Sequence, residues 1–261
     1  MIDPNLPQPH APADTATLHA LGRHARLLMF VIVVVNVALP LGNWAWSALH
    51  DRPLWTMYRG DLTPVEWWSS MQLLLVAWIA LLVGMLGRHA RDAGVGADIA
   101  PHNALWGLVA IGFVVLSLDE AFDVHEAIRD EFIAPSGWFT HYDWLLNGDI
   151  VLLAVFAIAL LLLPVFFRAF GDRRTRGFLL LLLALVVVLP ALVIDAMADS
   201  HIVRLPDWRF WDYVYEEQAE AVAAGLIALA FLDVLRARAR ELLGLLGNDD
   251  GDPAGQAAES H

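Results

Sequence analysis

The sequence predicts an all-α integral membrane protein, a bundle of six transmembrane helices with both termini in the cytoplasm. The chain is 58% hydrophobic and its mean hydropathy is +0.56, which is too apolar for an ordinary water-soluble domain. Several apolar runs approach the roughly 20 residues that a helix needs to cross a bilayer. All 16 basic residues are arginine, and they are unevenly distributed between the ends of these runs.

The first three predicted spans cover 27–49, 65–86 and 104–132. The polar, proline-containing segment at 1–22 is expected to be a disordered cytoplasmic tail. The first apolar run is too long for the core of a signal peptide and lacks a small-residue cleavage site, so it is expected to remain as a membrane helix. The third run is apolar as far as Leu118 and then continues as a polar helix.

The last three predicted spans cover 149–167, 178–198 and 211–235. The fifth consists almost entirely of Leu, Val and Ala until Asp195, as expected for a helix in hydrocarbon. The acidic, glycine-containing segment at 241–261 is expected to be a second disordered cytoplasmic tail. The region 23–240 is then the transmembrane domain.

The arginines decide the predicted orientation of the bundle. With a cytoplasmic N-terminus, 11 of the 16 arginines lie inside and 5 lie outside, as the positive-inside rule requires. The inner set is Arg23, Arg26, Arg88, Arg91, Arg168, Arg173, Arg174, Arg176, Arg236, Arg238 and Arg240. We expect such a protein in the bacterial inner membrane, surrounded by the lipid bilayer. Its net charge of −13 argues against nucleic-acid binding.

A cluster of ionisable residues follows the third apolar run, comprising Asp119, Glu120, Asp123, His125 and Glu126. Ionisable side chains at membrane depth usually face a cavity, a partner or a metal. Asp119 and Asp123 are four residues apart and therefore share a helix face, which Glu126 continues. On a regular helix, His125 would point well away from that face.

Two other acidic segments are predicted at the same depth. The fifth helix runs outwards, so Asp195, Asp199 and His201 lie near the outer face. The sixth helix runs inwards, so Glu216 and Glu220 begin at that same face. Like charges on one helix face repel each other, and the repulsion grows in a low dielectric. These acids must therefore be protonated, neutralised by arginine, open to water or bound to a cation.

A divalent metal ion is the preferred explanation for this cluster. Asp, Glu and His suit zinc, iron or manganese, and helix bundles build metal sites from inward carboxylates and histidines. The predicted ligands are Asp119, Glu120, Asp123, Asp195, Asp199, His201, Glu216 and Glu220. His125 and Glu126 are the predicted catalytic residues. Glu217 lies off the face shared by its neighbours and is expected to meet headgroup water.

Three resemblances can be drawn from these motifs. Leu-Asp-Glu at 118–120, four residues, His-Glu at 125–126 and Glu-Glu at 216–217 together resemble a pattern in uncharacterised bacterial multi-pass membrane proteins, which implies no known activity. Asp119-Glu120-x-x-Asp123 with Asp195-x-x-x-Asp199 is similar to the magnesium-binding motifs of intramembrane prenyltransferases, but that family has more spans and a site open to the cytoplasm. Zinc-dependent intramembrane hydrolases of the ceramidase type use a His-x-x-x-His pair that this chain lacks.

The site is compatible with three kinds of function. The first is a metal-dependent membrane enzyme near the outer leaflet, a hydrolase or an oxidoreductase, with a lipid as its substrate; a hydrolytic metal would generate hydroxide or polarise a carbonyl or phosphoryl oxygen. The second is a proton- or cation-coupled transporter whose carboxylates titrate or bind ions. The third is an assembly or sensor protein that binds a cation.

The predicted topology can be tested with a reporter fused at Thr140, in the loop after the third span. We expect the reporter to give an outside signal. The predicted N-terminus is cytoplasmic, and the chain crosses the membrane three times, an odd number, before residue 140. A cytoplasmic signal would contradict the shared depth of the three acidic segments.

Overall fold

The computed structural model describes residues 15–58, 63–92, 103–137, 157, 176–199 and 210–248. Every regular element among these residues is helical, so the all-α class is confirmed for the described part of the chain. The main helices are α1 (Thr15–His50), α2 (Pro64–Asp92), α3 (Asn103–Phe122), α4 (Val124–Ile128), α5 (Arg176–Asp199) and α6 (Glu216–Asn248).

Four of these helices contain stretches that are long and apolar enough to cross a membrane. The stretches are Ala16–His50, Pro64–His89, Leu105–Phe122 and Tyr213–Leu243. In α5 the described apolar stretch, Arg176–Ala191, is shorter. The predicted span at 149–167 lies outside the described residues apart from Ala157. The total of six spans therefore stays a prediction.

Helix α6 is the central element, since it packs against α1, α2 and α5, while α2 also packs against α3. Small residues bring α6 close to its neighbours, because Ala221, Ala224 and Ala228 are all buried. Farther along α6, the fully buried Phe231 meets Phe113 edge-on with ring centroids 5.4 Å apart. Alternating small and aromatic side chains thus fill the space between the helices.

Helix α1 turns a broad apolar face away from the rest of the bundle. Phe30 is 66% exposed and Leu41 is 58% exposed, whereas Ile32 on the packed side is 1% exposed. A continuous exposed apolar face of this kind is unfavourable in water but suits contact with lipid chains. The exposure pattern therefore agrees with a helix at the edge of a membrane bundle.

The two predicted tails are partly helical, which corrects the boundaries at 1–22 and 241–261. Helix α1 begins at Thr15 and α6 continues to Asn248. Tertiary packing explains the extension, since Leu18 is buried and lines the same cavity as Leu243. The start of α1 therefore lies beside the end of α6, so the two helices are antiparallel. Residues 1–14 and 249–261 lie outside the described part.

A polar network crosses the interior between α1, α2 and α6. Asn36 donates to Gln72 Oε1 (3.0 Å) and accepts from the indole N–H of Trp68 (3.1 Å). Gln72 in turn donates to the backbone carbonyl of Ala221 (3.3 Å). Gly225 makes room for this network, because a Cβ there would stand 2.2 Å from Asn36 Nδ2 and 2.6 Å from Gln72 Oε1.

Substitution Gly225→Ala should destabilise the protein, because the added methyl group displaces the Asn36–Gln72 hydrogen bond. Leaving these buried polar groups unpaired costs about 1–3 kcal/mol, and the better helix propensity of alanine offsets up to about 1 kcal/mol of that. The measurement is the thermal midpoint of unfolding in detergent. Gly112→Ala is the matched control, since a Cβ there meets nothing within 4 Å. Equal midpoints for the two variants would contradict the proposed role of Gly225.

Candidate carboxylate site at one end of the bundle

A break in the helix separates α3 from α4 and shapes the candidate site. Helix α3 ends at Phe122, Asp123 has a φ of 47°, and α4 begins at Val124. Aspartate is one of the few residues besides glycine that visit this left-handed region. The prediction of one continuous helix through 104–132 is therefore wrong.

Asp119 bridges this break and holds His125. Its Oδ1 accepts a hydrogen bond from the backbone N–H of His125 (2.8 Å), and its Oδ2 lies 3.0 Å from His125 Nδ1. The side chains of His125 and Asp119 are only 19% and 17% exposed. On a regular helix two residues with this spacing point about 120° apart. The turn at Asp123 is what brings them together.

The Asp119 contact also determines which nitrogen of His125 is basic. A carboxylate can only accept hydrogen bonds, so His125 donates its Nδ1–H and carries its lone pair on Nε2. Histidines that bind metals usually donate the other ring N–H to a carboxylate or a carbonyl group. General-base histidines are oriented by a carboxylate in the same way. The pair is therefore suited to either role.

Three carboxyl groups from three helices interact in the interior beside this pair. Glu66 of α2, Glu120 of α3 and Glu217 of α6 interact electrostatically with one another. Glu120 Oε1 and Glu217 Oε2 are shielded from solvent and have no hydrogen-bond partner among the described residues. Unpaired carboxyl oxygens are costly to bury. The group of Glu66, Glu120 and Glu217, called here the carboxyl cluster, therefore calls for a proton or a cation.

Local sequence places Glu66 at the first turn of α2. The Thr63 backbone N–H donates to Glu66 Oε2 (2.9 Å), and the Glu66 backbone N–H donates to Thr63 Oγ1 (3.2 Å). This is a capping box, in which Thr and Glu three residues apart satisfy each other's backbone donors. The motif fixes the carboxyl of Glu66 at the helix end, where it also meets Glu217.

Hydroxyl groups on α2 and α3 border the carboxyl cluster. The Ser70 and Ser117 hydroxyls each donate to the other residue's backbone carbonyl, at 2.7 and 2.9 Å, and so hold α2 against α3. One residue earlier, the buried Ser69 side chain lies next to Glu120 and interacts with its carboxyl group. The hydroxyls of Ser69, Ser70 and Ser117 thus provide polar surroundings for Glu120 where α2 meets α3.

Tyr58 covers the cluster from the connection between α1 and α2. Its side chain is 2% exposed and packs with Val65 and Val214. Burial raises the pKa of the Tyr58 phenol, and the charge of nearby Glu217 acts in the same direction. Tyr58 therefore stays protonated, with its hydroxyl hydrogen-bonded to Asn43 and the charge of Glu217 nearby.

The structure brings together several of the predicted site residues. Asp119 and Asp123 interact electrostatically with Glu120, Glu220 interacts with Glu217, and Glu216 opens α6. Among the described side chains, no three His, Asp or Glu residues converge closely enough to hold a metal ion. The predicted residues outside that part are His201 and the side chains of Glu126, Asp195 and Asp199.

Two residues of the cluster were not among the predicted ligands. Glu217 was expected to meet headgroup water, but it interacts with Glu66 and Glu120 in the interior, so that expectation is wrong. A sequence signal does exist for it, because Glu217 is spaced four and seven residues before Ala221 and Ala224 on the small-residue face of α6. For Glu66, the signal is the Thr-x-x-Glu capping pattern.

A family model described as a domain of unknown function (DUF8692) matches residues 26–235, which include every residue of the site described above. No curated protein matches the chain, and no solved structure does.

The break at Asp123 can be tested by two substitutions. Asp123→Asn should stay close to wild-type stability, because asparagine also adopts a positive φ. Asp123→Val should lose about 1–3 kcal/mol, because a β-branched residue is strained there. The measurement is the thermal midpoint in detergent, with the NMR shift of the His125 ring as a second readout. Equal behaviour of the two variants would show that the break is not a fixed feature.

Proposed function

The chain belongs to the family described as a domain of unknown function (DUF8692), and we propose that it is a metal-dependent membrane enzyme whose site is formed where α2, α3 and α6 meet. The observation that carries the proposal is the convergence of Glu66, Glu120 and Glu217 beside an aspartate-oriented histidine. Carboxyl groups held close together within a membrane favour a bound cation or protonation.

The metal ligands would come from both sides of the site. Glu120 and Glu217 offer buried oxygens without hydrogen-bond partners in the described part. Because the described side chains alone do not make a three-ligand group, the proposal draws further ligands from the outer end of α5. Asp195 and Asp199 stand in the last turns of that helix, which packs against α6. A carboxylate-rich set with one histidine suits zinc, iron or manganese.

The remaining ligand candidates from the sequence stay part of the proposal. Asp119 and Asp123 flank the helix break, Glu216 and Glu220 lie on the first turns of α6, and His201 follows α5. Asp119 and Asp123 add negative charge around Glu120, and Glu220 adds it around Glu217. More negative charge at a site strengthens its attraction for a divalent cation.

In the proposed reaction His125 is the general base, with Glu126 as the second catalytic candidate. A bound metal would polarise a carbonyl or phosphoryl oxygen and favour ionisation of a water molecule. His125 would accept the proton of that water on Nε2, while Asp119 would stabilise the resulting imidazolium. Tyr58, which stays protonated, would donate a hydrogen bond to the developing negative charge.

A lipid is the proposed substrate class. Exposed tryptophans surround this end of the bundle, namely Trp44 and Trp46 on α1, Trp67 on α2 and Trp211 before α6. Tryptophans at that position mark the boundary between headgroups and acyl chains. An ester or phosphodiester bond of a lipid lies at this depth, so a substrate could reach the site by lateral diffusion. The outer leaflet follows from the predicted orientation.

Proton-coupled transport is a second candidate, favoured by one specific observation. The side chains of Glu66 and Glu217 approach each other as a hydrogen-bonded pair, and two carboxyl groups form such a bond only when they share a proton. The Asn36–Gln72 network continues polar groups from the cluster towards the middle of the membrane. Transport also needs a polar route through the other half, where α5 is almost wholly apolar.

Metal analysis of the detergent-purified protein tests the proposal. We expect about one metal ion per chain in the wild type, and metal affinity about tenfold or more lower in Glu120→Gln and Asp195→Asn, because each loses a ligand. Glu131→Gln is the matched control, since Glu131 is an exposed acid beyond α4. A metal-free wild-type protein that moves protons across liposome membranes would reject the enzyme and support the transporter.

A further inference from the structure

A second polar feature lies at the opposite end of the bundle from the carboxyl cluster. A cavity of about 250 Å³ opens between the first turns of α1 and the last turns of α6. On α6 its residue Arg236 is 19 positions after Glu217, which corresponds to about 28 Å along the helix. The cavity is therefore a separate site, and the proposed enzyme chemistry makes no use of it.

The walls of this cavity are cationic and its floor is apolar. Arg26 of α1 and Arg236 and Arg240 of α6 line it, together with His19. Leu18 and Ala239, both 2% exposed, form the buried floor. Such a combination of guanidinium groups over an apolar floor suits an anion that carries a hydrocarbon portion.

The positive charge around the cavity is not balanced locally. Arg236 experiences the repulsive charges of Arg240, Arg26 and Arg176, against the attractive charge of Asp233 alone. Its Nη1 donates to the sulfur of Met29 at 3.7 Å, and a thioether is only a weak acceptor. Among the described residues, no carboxylate forms an ion pair with the three arginines of the cavity. Their like charges repel one another, and an anion bound among them would remove that repulsion.

Arg238 lies on the same part of α6 as the cavity arginines but does not line the cavity, and it provides a comparison for them. Its Nη1 donates to Glu241 Oε2 at 2.8 Å, and it does not line the cavity. Arg238 therefore has a carboxylate partner and lies outside the cavity, whereas Arg26, Arg236 and Arg240 line the cavity and form no ion pair among the described residues.

We propose that this cavity is a binding site for a phosphate-bearing anion, either the headgroup of an anionic phospholipid or a soluble phosphate compound. Guanidinium groups match phosphate oxygens in paired hydrogen bonds. The site lies at the ends of two candidate membrane spans, Ala16–His50 and Tyr213–Leu243. Basic pockets between helices at this level bind anionic lipid headgroups. The positive-inside rule places this end in the cytoplasm.

Gly22 offers a way to close the site without removing charge. It lines the cavity, and a Cβ at this position would meet nothing within 4 Å. A leucine at Gly22 should therefore fill part of the open volume while the arginines stay in place.

The test is calorimetric titration of the full-length protein in a neutral detergent. The probes are dihexanoylphosphatidylglycerol, inorganic phosphate and, as a zwitterionic comparison, dihexanoylphosphatidylcholine. We expect the wild type to bind at least one of the first two probes, with phosphatidylcholine weaker. Arg26→Gln/Arg240→Gln and Gly22→Leu should each weaken binding about tenfold or more, because charge-assisted hydrogen bonds or the space for the anion are lost. Arg238→Gln should bind like the wild type.

The outcomes separate the two sources of phosphate. Tight binding of phosphatidylglycerol with weak binding of inorganic phosphate identifies a lipid headgroup, and the reverse order identifies a soluble phosphate compound. Absence of binding of both probes to the folded wild type would overturn the proposal. So would a loss in Arg238→Gln as large as that in the double variant, since the cavity would then play no specific part. Thermal midpoints of all variants establish that each is folded.

Discussion

The close approach of α6 to α1 and α2 is the constraint on which the rest of the structure depends. Gly225 and the alanines before it remove side-chain volume from one face of α6, so that Asn36 and Gln72 can pair between the helices. Association of membrane helices relies on such packing and on interhelical hydrogen bonds, because burial from lipid provides little hydrophobic gain. Since Glu217 lies on the same face, this approach also carries it into the interior next to Glu66 and Glu120.

The carboxyl cluster and the turn at Asp123 both concern the cost of placing acids in a low dielectric. Acids in a low dielectric need neighbours that compensate their charge or share their protons. The turn at Asp123 interrupts the regular helix and brings His125 next to Asp119. The Asp119 carboxylate then accepts hydrogen bonds from the backbone N–H and the ring Nδ1–H of His125. Glu120, on the other side of α3, remains among acids. The result is an asymmetric site: Asp119 is hydrogen-bonded, whereas Glu120 Oε1 and Glu217 Oε2 have no hydrogen-bond partner among the described residues.

The two ends of the bundle differ in charge in a way that fits a membrane protein. Acids from α2, α3 and α6 meet at one end, whereas Arg26, Arg176, Arg236 and Arg240 interact at the other. This separation follows from helices that run in alternating directions, because each then contributes its acidic end to one side and its basic end to the other. Both ends hold like charges close together, and at the arginine end a cavity of about 250 Å³ lies beside them.

The sequence alone determined the all-α class, the apolar character of the helices and the presence of acids in α3 and α6 that belong to one end of the bundle. Hydropathy and charge are properties of each segment by itself, so the apolar helices and their charged ends can be predicted from the sequence. Which acids meet was decided by tertiary structure. Glu217 meets Glu66 and Glu120 because α6 packs on its small-residue face, and His125 meets Asp119 because Asp123 takes a positive φ. A regular helix continued through residue 123 would instead place His125 about 120° away from Asp119.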